Sequence, residues 1–220
     1  MAKDLAIVLN NGSINAAVTA ALAAQKYRPI MLFAETEPQA SGSRMRAAYD
    51  QQVGHFKPYR EHTLAMPFLG TVTPTTNAAF AATIDPRQSS VAPLMLDLLP
   101  LIAVAVRFAV HYQAAAIFVG MRAGAQGDTL AQVTEFTQIW NELIQMPCGQ
   151  PELMLEAPLL ELEPWQVIDV GFQVTAPFEK TWSCLENSSE PCWACRGCRS
   201  REQAFQQAAK ADPMRVVRKV

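Results

Sequence analysis

Cys184, Cys192, Cys195 and Cys198 follow one another as C-x7-C-x2-C-x2-C, a spacing suited to holding one metal ion. Tetrahedral zinc takes thiolate or imidazole ligands about 2.0–2.3 Å away, and a C-x2-C turn presents a pair of sulfurs to the same ion. Cys192, Cys195 and Cys198 form overlapping C-x2-C units, and Cys184 closes the set from the preceding loop. A full set of protein ligands leaves no open coordination position, so the expected role is structural rather than catalytic. Zinc is the expected ion. An iron–sulfur cluster uses the same thiolates and is its rival on spacing alone. Disulfides fit less well with cysteines crowded this closely and kept reduced inside a cell. Cys148, after Pro147, has no readable partner and reads as a passive thiol.

A second candidate is the segment Asn10-Asn11-Gly12-Ser13-Ile14-Asn15, which separates a short apolar run (5–9) from an alanine-rich stretch (14–26). The run reads as a buried parallel strand and the stretch as a helix, with Ser13 as its N-cap. Further strands are expected at 29–33, 61–66 and 115–120, and helices at about 44–56, 91–113, 129–146, 164–171 and 199–210, with a break or kink at Pro100. On the helix over 129–146, Val133, Phe136, Ile139, Trp140, Leu143 and Ile144 are expected to share one face. The stretch 67–93 reads as a long loop.

Strands alternating with helices predict a parallel sheet covered on both faces. Ligands of such sheets sit at the carboxyl ends of strands beside helix N-termini. That draws attention to 10–15 and 121–128, although Asp128 is read as a cap of the following helix. His55, His62 and His111 form no catalytic pattern, and Glu161 and Glu163 flank Pro164 at a helix start.

Half the residues are hydrophobic and 17% are charged, so a packed core is expected rather than disorder. A net charge of −2 gives no general signal for nucleic acid. The longest apolar stretch, 91–110, carries Asp97, Pro100 and Arg107 and reads as a buried helix rather than a membrane span. No secretory signal is read at the start, and a cytoplasmic protein is expected.

Thr181-Trp182-Ser183-Cys184, then Glu190-Pro191-Cys192, Cys195 and Cys198, then Arg201 with Ala204-Phe205 and finally Asp212-Pro213, resemble the C-terminal signature of the 7-cyano-7-deazaguanine synthase (QueC-like) family. That family carries T-W-S-C, E-P-C-G-x-C-x-x-C and R-x-x-A-F at this spacing. The resemblance implies an adenine-nucleotide alpha-hydrolase fold, a Rossmann-like parallel sheet flanked by helices. Residues 1–150 would form that α/β domain, and 151–220 a zinc-binding helical subdomain packed on it. It implies ATP with magnesium as cosubstrate, a deazaguanine-like or nucleotide small molecule as ligand, and a homodimer. The family adenylates a carboxylate, 7-carboxy-7-deazaguanine, and ammonia displaces AMP to give an amide and then, after a second activation, a nitrile.

The family's pyrophosphate loop reads S-G-G-x-D-S, and here Asn10, Asn11, Gly12, Ser13 and Asn15 are its nucleotide-binding candidates. Gly12 is kept in register. Asn10 and Asn15 offer carboxamide donors where the family has hydroxyls, Asn11 tolerates left-handed backbone, and Ile14 stands where the family has an acid. Ala34-Glu35-Thr36-Glu37 and the segment 120–130 also depart from the family's aspartate-tyrosine-glycine-glutamine and tyrosine-proline-aspartate-cysteine stretches. The leading expectation is a diverged family member with its ATP-dependent chemistry altered or lost. The alternatives are an active ATP-dependent carbon–nitrogen ligase and a zinc-stabilised, non-catalytic binding or scaffold protein.

Overall fold

The computed structural model describes residues 4–36, 43–69, 93–124, 129–186 and 188–216. The run LAIVL forms β1 (Leu5–Leu9), whose side chains feed different clusters on its opposite faces. Ala6 and Val8 pack with Ala20 and Ala23, whereas Ile7 packs with Ile102 and Ala105. A strand apolar on both faces requires cover on both. The remaining strands are β2 (Arg28–Glu35), β3 (Arg60–Ala65), β4 (Ala116–Val119) and β5 (Met154–Glu156). They form one five-stranded sheet in the order β3-β2-β1-β4-β5, with every pairing parallel. β5, which lies beyond residue 150, completes the same sheet.

The helices are α1 (Ile14–Ala24), α2 (Arg44–Phe56), α3 (Pro93–Tyr112), α4 (Leu130–Gln145), α5 (Pro164–Gln173), α6 (Arg196–Gln207) and the short α7 (Pro213–Val216). α1 sits close because its buried face is small: Ala16, Ala17, Ala20 and Ala23 bring its backbone near the sheet. Ser13 caps it, accepting the Ala16 N–H at 3.3 Å. α3 and α4 cover the other face through Ile102, Ala105, Val133, Trp140 and Ile144. The doubly covered parallel sheet is the fold class expected.

β1 leads outward to β2 and β3, and the chain then returns to β4 on the opposite side of β1. The direction of strand order therefore reverses between β1 and β4, where crevices form in such sheets. The register sets Leu9 opposite both Leu32 and Val119, so β1, β2 and β4 end beside one another.

Several expectations need adjustment. α3 continues through Pro100 as one helix. The apolar arc of α4 is wider than the face that the sheet covers. Val133, Trp140 and Ile144 are buried, but Ile139 and Leu143 remain 56% and 41% exposed. Asn141, on the same helix, pairs with the edge strand: its Oδ1 accepts the Leu155 N–H at 2.7 Å and its Nδ2 donates to the Leu155 carbonyl at 3.2 Å. The carboxamide thus stands in for a further strand and closes an edge that would otherwise offer free backbone groups. Most of the expected loop over 67–93, together with Glu37 and Asp128, lies outside the described residues. No helix among the described residues is long and apolar enough to cross a membrane.

Thr19 of α1 is fully buried, and among the described residues its Oγ1 is the one buried side-chain polar atom without a hydrogen bond. An unpaired buried hydroxyl costs about 1–3 kcal/mol. Thr19→Val keeps the shape and removes the orphan, so it is expected to stabilise by about 1 kcal/mol, raising Tm by about 2–4 °C. Thermal unfolding of the variant beside the parent checks this.

Candidate functional site

At the switch point a cavity of about 360 Å³ opens over the strand ends, floored by Leu9, Leu32, Ala34 and Val119. Leu98, Leu101 and Met121 extend its apolar wall, while Asn10, Asn11, Ser13, Asn15, Thr36 and Arg122 supply its polar groups. β4 closes in on the first turn of α1, because Gly120 carries no side chain. A Cβ at Gly120 would lie 3.0 Å from the Asn15 carbonyl carbon and oxygen.

The loop after β1 is held largely by its own carboxamides. Asn10, 3% exposed, accepts the Gly12 N–H on Oδ1 at 2.7 Å and donates from Nδ2 to Gln52 Oε1 at 2.8 Å. Gln52 in turn donates to the Lys180 carbonyl at 3.1 Å. Asn11 Oδ1 accepts the Ser13 N–H at 3.2 Å. Gly12 sits at φ +80°, and any Cβ there would collide with the Met45 carbonyl oxygen of α2. From the other side the Trp182 N–H donates to the Gly12 carbonyl at 2.9 Å. Ile14 turns away from the cavity and packs against the cluster of Val18, Leu159 and Val167. Glu35 is not among the residues that line the cavity. It pairs with Arg46 at 2.8 Å, which also bonds Asp50 at 2.9 Å.

The Sγ atoms of Cys184, Cys192, Cys195 and Cys198 all lie within 4.8 Å of one another and can hold one metal ion. A tetrahedron with sulfurs about 2.3 Å from its centre has edges of roughly 3.8 Å. The separations are 3.5 Å for Cys184–Cys192, 3.9 Å for Cys184–Cys195 and 4.0 Å for Cys192–Cys198, so the donor set fits such an ion. Backbone N–H groups point at the sulfurs, as thiolate character requires. Glu186 and Cys192 donate to Cys184, each at 3.4 Å, and Leu185 donates to Cys195 at 3.4 Å. The N–H groups of Leu185 and Cys198 hold the Cys195 thiol down to about 6. Burial pushes the Cys198 thiol up to about 12.

The cysteine unit is anchored by a buried ion pair. Arg201, 4% exposed, meets Asp212 through Nε at 2.6 Å and Nη2 at 2.7 Å. Its remaining donors reach Thr181 Oγ1 at 2.7 Å and the Phe178 carbonyl at 3.0 Å. Every charge in this cluster is thereby paired or hydrogen-bonded.

Asn10, Asn11, Ser13 and Asn15 line the cavity, and Gly12 shapes the loop behind it. The sequence reading did not single out Gln52 or Arg122. Gln52 shares the buried face of α2 with Ala48 and Tyr49, and a polar residue on an apolar stripe was its one signal. Arg122 is the first charged residue after a wholly buried strand. The histidines stay apart: His62 bonds Tyr112 at 2.8 Å, and His55 lies 3.3 Å from Lys180 Nζ. Cys148 is exposed and separate from the cluster.

A family model described as "Queuosine biosynthesis protein QueC" matches residues 5–209. Curated 7-cyano-7-deazaguanine synthases are similar in sequence. That of Chloroherpeton thalassium is 26% identical over 217 residues, covering 95% of both chains. For the enzyme of Chlorobium chlorochromatii the match is 35% identical over 81 residues, 36% of this chain and 35% of that one. For that of Methanoculleus marisnigri it is 26% over 115 residues, 52% of each. The aligned part thus spans about a third and about half of those last enzymes' lengths. Among solved structures, an NAD+ synthetase from Burkholderia pseudomallei superposes with a TM-score of 0.41 at 11% identity, over 93% of this chain and 75% of that one. A phosphoadenylyl-sulfate reductase from Candida auris gives 0.39 at 12%, over 80% and 75%.

Breaking a buried pair by removing one partner strands the other charge, at about 3–5 kcal/mol. Arg201→Met is expected to lower stability by that amount in denaturant unfolding. Adding Asp212→Leu to the same chain is expected to recover part of the loss.

Proposed function

Because the chain belongs to the QueC family, we propose that it is a diverged relative of the 7-cyano-7-deazaguanine synthases, in which the cavity still receives a nucleotide-like small molecule while the ATP-dependent chemistry is altered or lost. One observation carries this reading. The loop that would wrap a pyrophosphate has its Gly12 and Ser13 N–H groups already engaged by Asn10 and Asn11. The cavity lining supports it, since among the described residues none that lines it is a carboxylate able to hold magnesium beside the phosphates. The second reading, an active carbon–nitrogen ligase, rests on the cavity lying at the strand ends where a nucleotide would sit. In that reaction a carboxylate attacks the α-phosphate of ATP, pyrophosphate leaves, and ammonia then displaces AMP.

The cysteine centre enters this reading as a zinc site of structural role, with Cys184, Cys192, Cys195 and Cys198 as ligands and no position left for substrate. A zinc ion there would neutralise thiolates and cross-link the loop after Trp182 to the start of α6. Reduced thiols suit a cytoplasmic location. A homodimer is part of the same reading, and the uncovered Ile139, Leu143 and Met146 of the α4 region supply apolar surface for it.

Two measurements test the proposal. Purified chain is incubated with Mg·ATP, ammonia and 7-carboxy-7-deazaguanine, and AMP and pyrophosphate are followed. No release above background is expected, whereas stoichiometric AMP with amide or nitrile would establish the ligase. A Gly12 variant is a poor probe of binding here, because the collision with Met45 would disturb the fold itself. For the centre, metal analysis is expected to find about one zinc per chain. Cys198→Ser should bring this close to zero and destabilise by more than about 4 kcal/mol, the range seen on metal loss.

A further inference from the structure

We propose that the cavity selects a nucleoside monophosphate over a magnesium-bound triphosphate, with Arg122 as the group that holds the single phosphate. This rests on the nucleotide-cavity reading above and names the ligand class it implies. Among the described residues lining the cavity, Arg122 is the one that carries a charge. It uses one donor, Nη1, on the neighbouring Ala123 carbonyl at 2.9 Å, and pairs with no carboxylate among the described residues. A guanidinium carries five N–H donors in a planar fork suited to phosphate. With no acidic partner among the described residues and a largely apolar cavity beside it, it favours an anionic ligand.

The position is fixed independently of the side chain. Gly120 lies against the backbone of Asn15, so Arg122, only two residues on, shares the rim with the first turn of α1. Ser13 and Asn15 lie on the same rim. The Ser13 hydroxyl accepts from Ala16 and keeps its own hydrogen to donate. Donors are therefore enough for one phosphate, and the apolar floor of Leu9, Leu32, Ala34 and Val119 suits a flat heterocycle.

A triphosphate asks for more. Its β- and γ-phosphates would need the loop N–H groups that Asn10 and Asn11 occupy, and its magnesium would need oxygen ligands that the described lining residues do not provide as carboxylates. Displacing Asn10 would also break its bond to Gln52. The cost falls on the polyphosphate and not on the monophosphate.

Calorimetric titration of the metal-loaded full chain with AMP, adenosine and Mg·ATP separates these ligands. AMP is expected to bind about tenfold more tightly than either of the others, the difference a charge-assisted hydrogen-bond pair provides. Arg122→Gln should erase the advantage of AMP over adenosine while leaving adenosine affinity within about twofold. Arg122→Lys, which keeps the charge without the fork, should fall between. Unchanged adenosine binding also reports that each variant is folded. Mg·ATP binding as tightly as AMP, AMP affinity untouched by Arg122→Gln, or no AMP binding at all would each overturn the proposal. AMP failing to bind while ATP is not consumed would sink this inference alone. Turnover of ATP in the assay above would sink the reading beneath it.

Discussion

The hydrogen bond from the Trp182 N–H to the Gly12 carbonyl joins the two ends of the chain at a single loop. A lone bond of this kind contributes about 1 kcal/mol, so its importance lies in what converges on it. Gly12 is pressed against α2 so closely that only a residue without Cβ fits. Trp182 itself packs with Ala48 and Met45 of the same helix, beside Cys184 and Cys198. Its neighbour Thr181 is gripped by the buried Arg201, and Gln52 ties Asn10 to Lys180. The cysteine cluster, the ion pair and the loop are therefore tied together. All of them bear on the loop that forms part of the cavity lining, although neither the cysteines nor Arg201 lines it.

The cysteine signature and the position of the first loop could both be read from the sequence, whereas the loop's hydrogen bonds to distant segments could not. Metal ligands declare themselves by spacing, because the ion imposes its own geometry on a short stretch. The alternation of strands and helices was equally legible: α2 runs over 44–56 as expected, and Ser13 caps α1. What escaped depends on contacts between distant segments. Gln52 reaches Asn10 across 42 residues, and the spacing of apolar residues says nothing about which polar atom meets which. On α4 the apolar pattern overstated the buried face, since periodicity counts hydrophobic residues and the sheet determines how many are covered.

Trp193 shows how a local departure is accommodated. The family signature has glycine after the first cysteine of the C-terminal group, and here Trp193 occupies that place with φ +55°. A bulky residue in the left-handed region costs on the order of 1–2 kcal/mol. The Arg215 guanidinium lies 4.4 Å from the centre of its indole ring, and a cation over tryptophan returns about 0.5–1 kcal/mol at an exposed site. The turn that delivers Cys192 and Cys195 survives because the contact offsets part of the strain.

The asparagines of the first loop follow the same logic with a different consequence. A loop built to hold pyrophosphate keeps N–H groups directed at a ligand, and without that ligand they depend on water. Asn10 and Asn11 supply oxygen acceptors from within the loop itself, each such bond worth about 0.5–1.5 kcal/mol. The loop is then satisfied in the absence of any anion, and a phosphate entering it must compete with bonds already made. Arg122 stands outside that competition, since its guanidinium keeps donors that the loop does not use. On the proposed reading, the affinity of the cavity for an anion is moved from the backbone of the first loop to one side chain after β4. On the same reading, that move turns a polyphosphate cradle into a site for a single charge.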